Sequence, residues 1–455
     1  MNALNDISNI FKAYDVRGKV GTELNPDVAE RIGKAVADWL PQKGAVAVGR
    51  DMRPDSAELA TAAIQGLTKQ GRDVIDIGEV TSDMIYFAVG NYQLAGGLMV
   101  TASHNPGEYN GIKLCRDEAQ PIGQESGLFD IRDKVVSNDF KPAATRPGKV
   151  EQRDIVEGWI THVLSFIDTA KLKELRIVVD AGNGMAGAIF PELEPYVPWD
   201  VTEMYFELDG SFPNHEANPL KFETLADMIK VIKTEKLDGG IAFDGDGDRA
   251  FLVDETGEVL PGNVMNAMLG EYFLGKHPGS AILYDLRSSR AVPELIAEKA
   301  GTPVRTRVGH SFIKQVMREQ NAPFGGEVSG HFYFRDNYYA DSGLIAATIG
   351  LYVAGLSGKK LSQLRKHYIR YATLPETNFE VADKEAVFSR LKETFKDKAQ
   401  DELDGLTIEL GVGTWFNVRA SNTEPLLRLN AEAKTESELN QLVAQITQLI
   451  EGDKS

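Results

Sequence analysis

Three aspartates alternate with glycines in the run Asp244-Gly245-Asp246-Gly247-Asp248-Arg249, which lies between two short apolar stretches at 241–243 and 251–253. Alternate residues of a tight loop can point the same way, and glycines allow a positive φ, so we expect the carboxylates to converge. Close carboxylates repel one another unless a cation neutralises them. Oxygen-only ligands suit magnesium, manganese or calcium rather than zinc. The run therefore predicts a divalent-cation site on a loop between two strands.

The aspartate run has two other interpretations. A solvated acidic turn is the first, although apolar segments bracket the run closely. An EF-hand calcium loop is the second, because the aspartates and Glu255 would fill its first, third, fifth and twelfth positions. Arg249 replaces the glycine which that loop requires, and strands rather than helices are predicted on either side. We therefore treat the EF-hand match as a coincidence.

A serine at the end of a predicted strand is the second chemical feature. Ser103 follows the strand 98–101 and precedes His104, Asn105 and Pro106. Such a serine can be a nucleophile, a phosphate carrier or a helix cap. A Ser/His/acid triad is disfavoured, because adjacent residues of an extended segment point apart, and no Gly-x-Ser-x-Gly elbow surrounds this serine. Lys113 lies ten residues further on as a proton donor, a phosphate partner or a surface lysine.

Two further loops have the composition of ligand-binding segments. The loop 419–425 offers a guanidinium, hydroxyls, an amide and free N–H groups, which together suit a phosphate, although a polar hairpin turn explains it as well. The loop 325–331 combines glycines with an acceptor and a hydroxyl that suit sugar hydroxyls. The residues of interest in the two loops are Arg419, Ser421, Asn422, Thr423, Glu327, Ser329 and His331.

Composition limits the class of protein. The formal net charge is -18, with 67 acidic and 49 basic residues, which disfavours nucleic acid and anionic membrane surfaces as partners. Cys115 is the single cysteine, so an intramolecular disulfide is excluded and a reducing compartment fits. The first residues do not resemble a signal peptide, and no apolar run reaches the ~18 residues of a membrane span. We expect a cytoplasmic protein.

The elements that must position these loops fall into four parts. In the first three, short β-branched strands alternate with amphipathic helices, which predicts mainly parallel sheets with helices on both faces. The last part has fewer helices and predicts an α+β domain, whose alternating segment 427–433 indicates a half-exposed strand. A polar stretch with two prolines at 139–153 marks the first boundary. We expect domains at 1–150, 151–254, 255–369 and 370–455.

With these four loops in this order, the chain resembles the α-D-phosphohexomutases, and among them the bacterial phosphomannomutase/phosphoglucomutase group. The resemblance extends from Phe11-Lys12-Ala13-Tyr14-Asp15-Val16-Arg17-Gly18 to the loop 419–425, almost the whole chain. The motifs Thr-Ala-Ser-His-Asn-Pro and Asp-Gly-Asp-Gly-Asp-Arg are together highly specific. The resemblance implies three similar α/β domains and a C-terminal α+β domain around a central cleft. In chain order these would carry a phosphoserine loop, a metal loop, a sugar loop and a phosphate loop.

The resemblance also implies roles for individual residues. Ser103 would be the phosphoserine, and its phosphate would join Asp244, Asp246 and Asp248 in binding Mg²⁺. Around the transferring phosphate it implies Tyr14, Arg17, Lys113, Arg249 and His310, of which Lys113 and His310 are the candidates for general acid and base. Contacts to the substrate are implied for Tyr14, Arg17, His104, Arg287, His310, Glu327, Ser329, His331, Arg419, Ser421, Asn422 and Thr423.

Two positions depart from the pattern of the family. Arg287 stands where a lysine is expected, which replaces a point charge by a planar fork. Val328 stands where phosphoglucosamine mutases carry glutamine. Phosphoglucosamine mutase activity is therefore the alternative to phosphomannomutase/phosphoglucomutase activity.

The activity implied by the resemblance is reversible phosphoryl transfer between the 1- and 6-positions of mannose or glucose phosphate. It would proceed through a hexose 1,6-bisphosphate, which also serves as activator, and it needs mostly positioning and charge neutralisation. The partner is then a small hexose phosphate, and a monomer or weak dimer is expected. The alternatives from other classes are a non-catalytic calcium- or sugar-phosphate-binding protein and a metal-dependent phosphatase.

Overall fold

The structure is a computed structural model that describes residues 7–41, 43–420 and 426–452. The chain forms two compact units. The first unit comprises Met1–Leu260 and Ser329–Ser362, and the second comprises Pro261–Val328 and Gln363–Ser455.

The first sheet of the first unit has seven strands: β1 (Val16–Lys19), β2 (Val46–Arg50), β3 (Val74–Glu79), β4 (Gly96–Val100), β5 (Tyr109–Arg116), β6 (Gln120–Pro121) and β7 (Val150–Gln152). Their order is β1-β5-β4-β2-β3-β7, with β6 beside β5. Strands β4, β2, β3 and β7 are parallel, as the alternating pattern predicts, and β5 is antiparallel to its neighbours. The polar stretch at 139–153 thus contributes an edge strand to this sheet.

Helices on the first sheet are α1 (Pro26–Trp39), α2 (Ser56–Lys69), α3 (Ser82–Asn91) and α4 (Leu128–Ser137). Helix α1 begins where the Asn25 side chain accepts from the Val28 amide, with a proline in the first turn, which supplies an N-cap and a preset φ. Its apolar face at Val28, Ile32 and Val36 is buried in the core of this sheet. Helix α2 follows β2 along the chain, in agreement with the predicted alternation of strands and helices.

The second sheet has four strands: β8 (Leu175–Asp180), β9 (Trp199–Met204), β10 (Gly239–Phe243) and β11 (Ala250–Asp254). The order is β11-β10-β8-β9, parallel except for the antiparallel pair of β10 and β11. The helices here are α5 (Val156–Leu164), α6 (Ala186–Leu193) and α7 (Ala226–Glu235). The aspartate run is the connection between β10 and β11, so strands flank it on both sides as expected.

Residues 261–368 contribute to both units. In the second unit, β13 (Thr302–Thr306) and β14 (Phe324–Gly326) pair in parallel with β12 (Ala281–Asp285). In the first unit, β15 (Phe332–Phe334) and β16 (Ala340–Asp341) form an antiparallel pair. The helices of this segment are α8 (Gly262–Lys276), α9 (Ala291–Glu298), α10 (His310–Gln320), α11 (Gly343–Ser357) and α12 (Leu361–Tyr368).

The last sheet is antiparallel throughout. Its strands are β17 (Ala372–Thr373), β18 (Thr377–Glu380), β19 (Ala399–Asp401), β20 (Leu406–Gly411), β21 (Thr414–Ala420) and β22 (Leu426–Ala433). Helices α13 (Lys384–Thr394) and α14 (Glu436–Glu451) pack with it around a core of its own. The expectation of a half-exposed β22 is wrong at its end, because Glu432 is 0% exposed and accepts from the Trp415 indole and the Arg290 amide.

No single helix of the described ranges has both the length and the apolar composition for a membrane span; α11 and α12 meet that test only as a pair bent by 99°.

Candidate active site

The carboxyl ends of three parallel strands bring the first group of polar residues together. After β2 come Asp51 and Arg53, after β3 come Thr81 and Ser82, and after β4 comes Ser103. Parallel strands end at the same edge of a sheet, where open α/β sheets bind ligands. Ser103 and these other polar residues therefore lie at the same edge of the first sheet.

The aspartate loop has converged as predicted. One carboxylate oxygen of each of Asp244, Asp246 and Asp248 lies within 4.8 Å of the others, and all three side chains are buried. Gly247 has a φ of +75°, which fits the predicted need for a flexible glycine. Gly245 serves another purpose, since a Cβ there would lie 2.5 Å from the Ser103 carbonyl oxygen. The first glycine is needed for close approach of the serine loop.

Ser103 lies against both Asp244 and His104. Its Oγ donates to Asp244 Oδ2 at 2.9 Å and lies 3.1 Å from His104 Nδ1. The expectation that neighbouring side chains point apart is wrong here, because Ser103 has a φ of +50° and is not extended. The hydroxyl has a single proton, and it donates that proton to Asp244.

Arg249 determines which nitrogen of His104 carries the proton. Its Nε donates to Asp244 Oδ2 at 2.9 Å, and its Nη2 lies 2.6 Å from His104 Nδ1. A guanidinium only donates, so His104 Nδ1 is an acceptor and its proton is on Nε2. Burial lowers the pKa of His104 well below its usual range, and the Arg249 charge adds to that effect. Burial also raises the pKa of the Asp244 carboxyl to about 7 against the charge of Arg249.

Lys113 on β5 neutralises the other two aspartates. Its Nζ lies 2.6 Å from Asp246 Oδ2 and 2.5 Å from Asp248 Oδ2. Burial would lower the pKa of this lysine, but the two carboxylates outweigh burial and raise it well above its usual range. Burial also opposes ionisation of Asp246, yet Lys113 prevails and lowers the pKa of that carboxyl. Both side chains are therefore charged at neutral pH.

The aspartates fit a divalent cation. Asp246 Oδ1 and Asp248 Oδ1 are buried and have no hydrogen-bond partner within the described part of the chain. The donors are all oxygen atoms, which is the set preferred by Mg²⁺. Ser82 orients the group by donating through Oγ to Asp246 Oδ2 at 2.5 Å. The EF-hand alternative is not supported, because Glu255 instead accepts from the Ser362 hydroxyl at 2.5 Å.

Other predicted residues of the first unit border this group. Arg17 on β1 donates to Asp15 at 2.9 Å, and burial of Arg17 is outweighed by Asp15 and Asp246, which raise its pKa. His331 Nε2 lies 3.7 Å from Asp248 Oδ1. The Ser329 hydroxyl lies 3.2 Å from His331 Nδ1. Tyr14 is partly buried just before β1.

The second unit collects a second group of predicted residues. Arg287 follows β12 and donates to Asp285 at 2.7 Å, and its Nη2 lies 3.9 Å from Glu327 Oε1. Glu327 in turn accepts from the Gly309 amide at 3.0 Å, directly before His310 at the start of α10.

Glu376 connects the sugar-loop and phosphate-loop residues of the second unit. It accepts from Arg419 at 2.7 Å and lies 4.0 Å from Arg287 Nη1. Burial would raise the pKa of Glu376, but Arg419 and Arg287 outweigh it and lower the pKa. The predicted residues Ser421, Asn422 and Thr423 lie outside the described residues.

Sequence reasoning missed three residues of these groups: Arg53, Ser82 and Glu376. Arg53 and Ser82 each come just after a predicted strand, as Ser103 does, so the strand-end rule could have found them. Glu376 had no signal, because it lies between two short strands and meets its arginines only in the folded chain.

Comparison with known proteins covers nearly the whole chain. The domain profiles of phosphoglucomutase/phosphomannomutase match it: alpha/beta/alpha domain I at residues 8–141, domain II at 157–257, domain III at 261–371 and the C-terminal domain at 376–449. These matches confirm the predicted fold class of three α/β domains followed by a C-terminal domain.

Among curated proteins, "Phosphohexose mutases" of Xanthomonas campestris pv. campestris (strain B100) is 42% identical over 97% of this chain and 99% of that protein. "Phosphomannomutase" of Escherichia coli (strain K12) is 39% identical over 93% of this chain and 94% of that protein. A crystal structure of a phosphoglucomutase/phosphomannomutase family protein from Burkholderia thailandensis superimposes with a TM-score of 0.90 at 30% identity, over 98% of this chain and 99% of that one.

Proposed function

The chain belongs to the phosphoglucomutase/phosphomannomutase family, and from that premise we propose that it moves a phosphoryl group between the 1- and 6-positions of mannose or glucose phosphate. The protein is accordingly a phosphohexose mutase, an isomerase of the intramolecular phosphotransferase class. One observation carries the finer proposal: the Ser103 hydroxyl lies 2.9 Å from Asp244, inside the cluster of three buried aspartates.

We propose that Ser103 carries the phosphoryl group. In the first transfer the bond from Ser103 Oγ to phosphorus breaks, and a hydroxyl oxygen of the hexose monophosphate bonds to that phosphorus. The hydroxyl proton of the sugar passes to a base, and Ser103 Oγ takes up a proton from an acid. The product is a hexose 1,6-bisphosphate. After the sugar reorients, Ser103 Oγ loses its proton to a base and bonds to the phosphorus of the other phosphate. The bond from that phosphorus to the sugar oxygen breaks, and the sugar oxygen takes up a proton. Free enzyme without phosphate would be loaded by hexose 1,6-bisphosphate.

The proposed metal site consists of Asp244, Asp246 and Asp248 with an oxygen of the Ser103 phosphate. When bound, Mg²⁺ would neutralise charge on the phosphoryl group. Lys113 would keep its proton on Nζ, because its pKa is raised. Its positive charge would then help to neutralise the phosphoryl group. Arg249 and His104 would keep the Ser103 side chain directed at Asp244, and Arg17 would add a further cation beside them.

The second unit would contact the sugar and its other phosphate. Glu327 would supply a carboxylate for sugar hydroxyls, and Ser329 and His331 are also proposed to contact the sugar. Arg287 and Arg419, with Ser421, Asn422 and Thr423, would bind the phosphate that is not being transferred. His310 and Lys113 stay the proposed candidates for general acid and general base, and Tyr14 is proposed to contact the substrate.

The remaining expectations also stay proposals. We propose domains at 1–150, 151–254, 255–369 and 370–455, a cytoplasmic location, and a monomer or weak dimer with neither nucleic acid nor membrane as partner.

The phosphoserine is tested by substitution. Ser103→Ala should lose mutase turnover almost completely and should no longer gain a phosphoryl adduct in intact-mass spectra after treatment with glucose 1,6-bisphosphate. Ser137→Ala is the matched control, because Ser137 lies exposed on α4 and its hydroxyl donates to nearby backbone carbonyls of the same helix. Near-normal turnover by Ser103→Ala would remove the serine from the mechanism.

The sugar is tested with three substrates. Mannose 1-phosphate, glucose 1-phosphate and glucosamine 1-phosphate should be compared under catalytic 1,6-bisphosphate, and the first two should be turned over faster. A preference for glucosamine 1-phosphate would show a phosphoglucosamine mutase. Release of inorganic phosphate faster than isomer formation would show a phosphatase instead.

A further inference from the structure

Arg53 is a buried arginine that the mechanism so far leaves unused. It follows β2 by three residues and is 3% exposed. Burying a guanidinium is costly unless its donors are satisfied. The acceptors that satisfy Arg53 therefore indicate what it does.

Among the residues that the structure describes, the two terminal nitrogens of Arg53 donate hydrogen bonds to the main chain of the serine loop alone. The acceptors are the carbonyls of Ser103 (2.9 Å), Asn105 (2.5 Å), Pro106 (3.0 Å) and Tyr109 (2.9 Å). Four acceptors at four different positions of one loop require a planar fork, because a single ammonium cannot reach all of them in these directions. Arg53 thus fixes the course of residues 103–109.

Two neighbours hold the guanidinium itself in place. Asp51 Oδ2 lies 3.3 Å from Arg53 Nε in a buried ion pair, and Asp51 is in turn held by the Ser56 hydroxyl at 2.5 Å. On the other side, the Arg53 guanidinium lies 5.1 Å from the centre of the Phe212 ring, within cation–π range. The position of the guanidinium is therefore fixed from both sides.

The Ser103 carbonyl lies between Arg53 and the aspartate loop. It accepts from Arg53 on one side, and on the other it lies so close to Gly245 that a Cβ there would be 2.5 Å away. Ser103 has a φ of +50°, an uncommon conformation for a residue with a side chain. Such a conformation persists only where surrounding contacts hold it. Arg53 supplies one of those contacts, and the Thr101 hydroxyl, which accepts from the Ser103 amide at 2.9 Å, supplies another.

We propose that Arg53 is a positioning residue for phosphoryl transfer: it holds the Ser103 main chain so that Oγ stays beside Asp244 through both transfers. This inference rests on the proposed role of Ser103 as phosphoryl carrier. Because Arg53 is buried and its terminal donors are used within the protein, it leaves binding of the hexose phosphate unchanged. Loss of the Arg53 guanidinium should therefore lower kcat and leave KM unchanged.

Arg53→Lys tests this, with Arg50→Lys as matched control. Arg50 ends β2, and within the described ranges its side chain has a loose 3.9 Å ion pair with Glu79. Both proteins are first checked for native circular dichroism and melting temperature. We expect kcat of Arg53→Lys to fall by about tenfold or more, because ~1 Å of misplacement costs up to ~10²-fold. KM for the hexose 1-phosphate should stay within about twofold, and Arg50→Lys should match the wild type in both constants.

A second readout reports the serine loop directly. After loading with glucose 1,6-bisphosphate, the ³¹P NMR signal of the wild-type phosphoserine should be single and sharp. The signal of Arg53→Lys should be shifted or broadened, because the residue that bears the phosphate samples other conformations. A mere loss of stability would lower the melting temperature without this change in the folded protein.

The possible outcomes separate the two proposals. If Arg53→Lys retains the wild-type kcat and ³¹P signal, the positioning role is wrong while the phosphoserine mechanism stands. The same conclusion follows if the KM of Arg53→Lys rises by as large a factor as its kcat falls. If the wild type itself gains no phosphoserine, the proposed function is overturned and this inference with it. Should Arg53→Lys not fold, Phe212→Leu keeps Arg53 and removes only the aromatic face that holds it. That variant should lower kcat by about threefold with KM unchanged, and an unchanged kcat would contradict the inference.

Discussion

Removing the Ser82 hydroxyl should weaken the binding of divalent cations. Ser82 Oγ donates to Asp246 Oδ2 at 2.5 Å, both side chains are at most 1% exposed, and the partner oxygen Oδ1 of Asp246 has no hydrogen bond within the described residues. The serine thus fixes which carboxylate oxygen is left for a cation. Such supporting hydrogen bonds to metal ligands are among the determinants of metal affinity.

The magnitude follows from the kind of bond that is lost. A hydrogen bond to a charged group contributes roughly 1.5–3 kcal/mol, and about 1.4 kcal/mol corresponds to a factor of ten in an equilibrium constant. Part of this is offset, because Asp246 keeps its ion pair with Lys113 at 2.6 Å. We therefore expect Ser82→Ala to raise the Mg²⁺ dissociation constant by about tenfold, at the lower end of the range for such residues.

Isothermal titration of the dephosphorylated protein with Mg²⁺ measures this directly. Ser56→Ala is the matched control, because Ser56 also donates to a buried carboxylate at 2.5 Å, that of Asp51, which is not among the metal ligands proposed here. Ser56→Ala should bind Mg²⁺ as the wild type does. Equal dissociation constants for Ser82→Ala and the wild type, or equal losses in both variants, would refute the role given to Ser82.

Two further predictions concern the serine loop and the helix beside it. Gly245→Ala should lose about 10²-fold or more in kcat, because its Cβ would lie 2.5 Å from the Ser103 carbonyl oxygen. Gly275→Ala is the control and should be fully active, because a Cβ there has no neighbour within 4 Å outside its own helix turn among the described residues. A fully active Gly245→Ala would show that the close approach is unnecessary. Burial raises the pKa of Asp83 to about 7, above about 3.9 in the unfolded chain. The native state then binds more protons between these values, so stability due to Asp83 is present at low pH and is lost as pH rises through about 7. The urea midpoint should fall less between pH 5 and pH 8 in Asp83→Asn than in the wild type, and equal falls would contradict this.

Local sequence patterns were sufficient to predict the parallel sheets and the convergence of the aspartate loop. Alternation of strands and helices predicted the parallel sheets, because the hydrophobic periods of 2 and 3.6 residues report which side of each element is buried. The three aspartates converge as predicted, since all lie within one short turn between adjacent strands. Such contacts depend on residues that are close along the chain.

Contacts between distant residues were decided by the tertiary structure. Lys113 lies 133 and 135 positions from the aspartates that it neutralises, and no spacing rule relates them. Glu432 shows the same limit, because its alternation with apolar residues predicted exposure while Trp415 and Arg290 bury it.

The serine loop shows most clearly what each level determined. From the sequence, Ser103 could be placed at the end of a strand beside a histidine that was expected to point away. Only the folded chain shows a φ of +50°, which brings Oγ within 3.1 Å of His104 and 2.9 Å of Asp244. The physical reason is that the conformation is uncommon for the serine itself and is held by Arg53, 50 residues away, and by the close approach of Gly245.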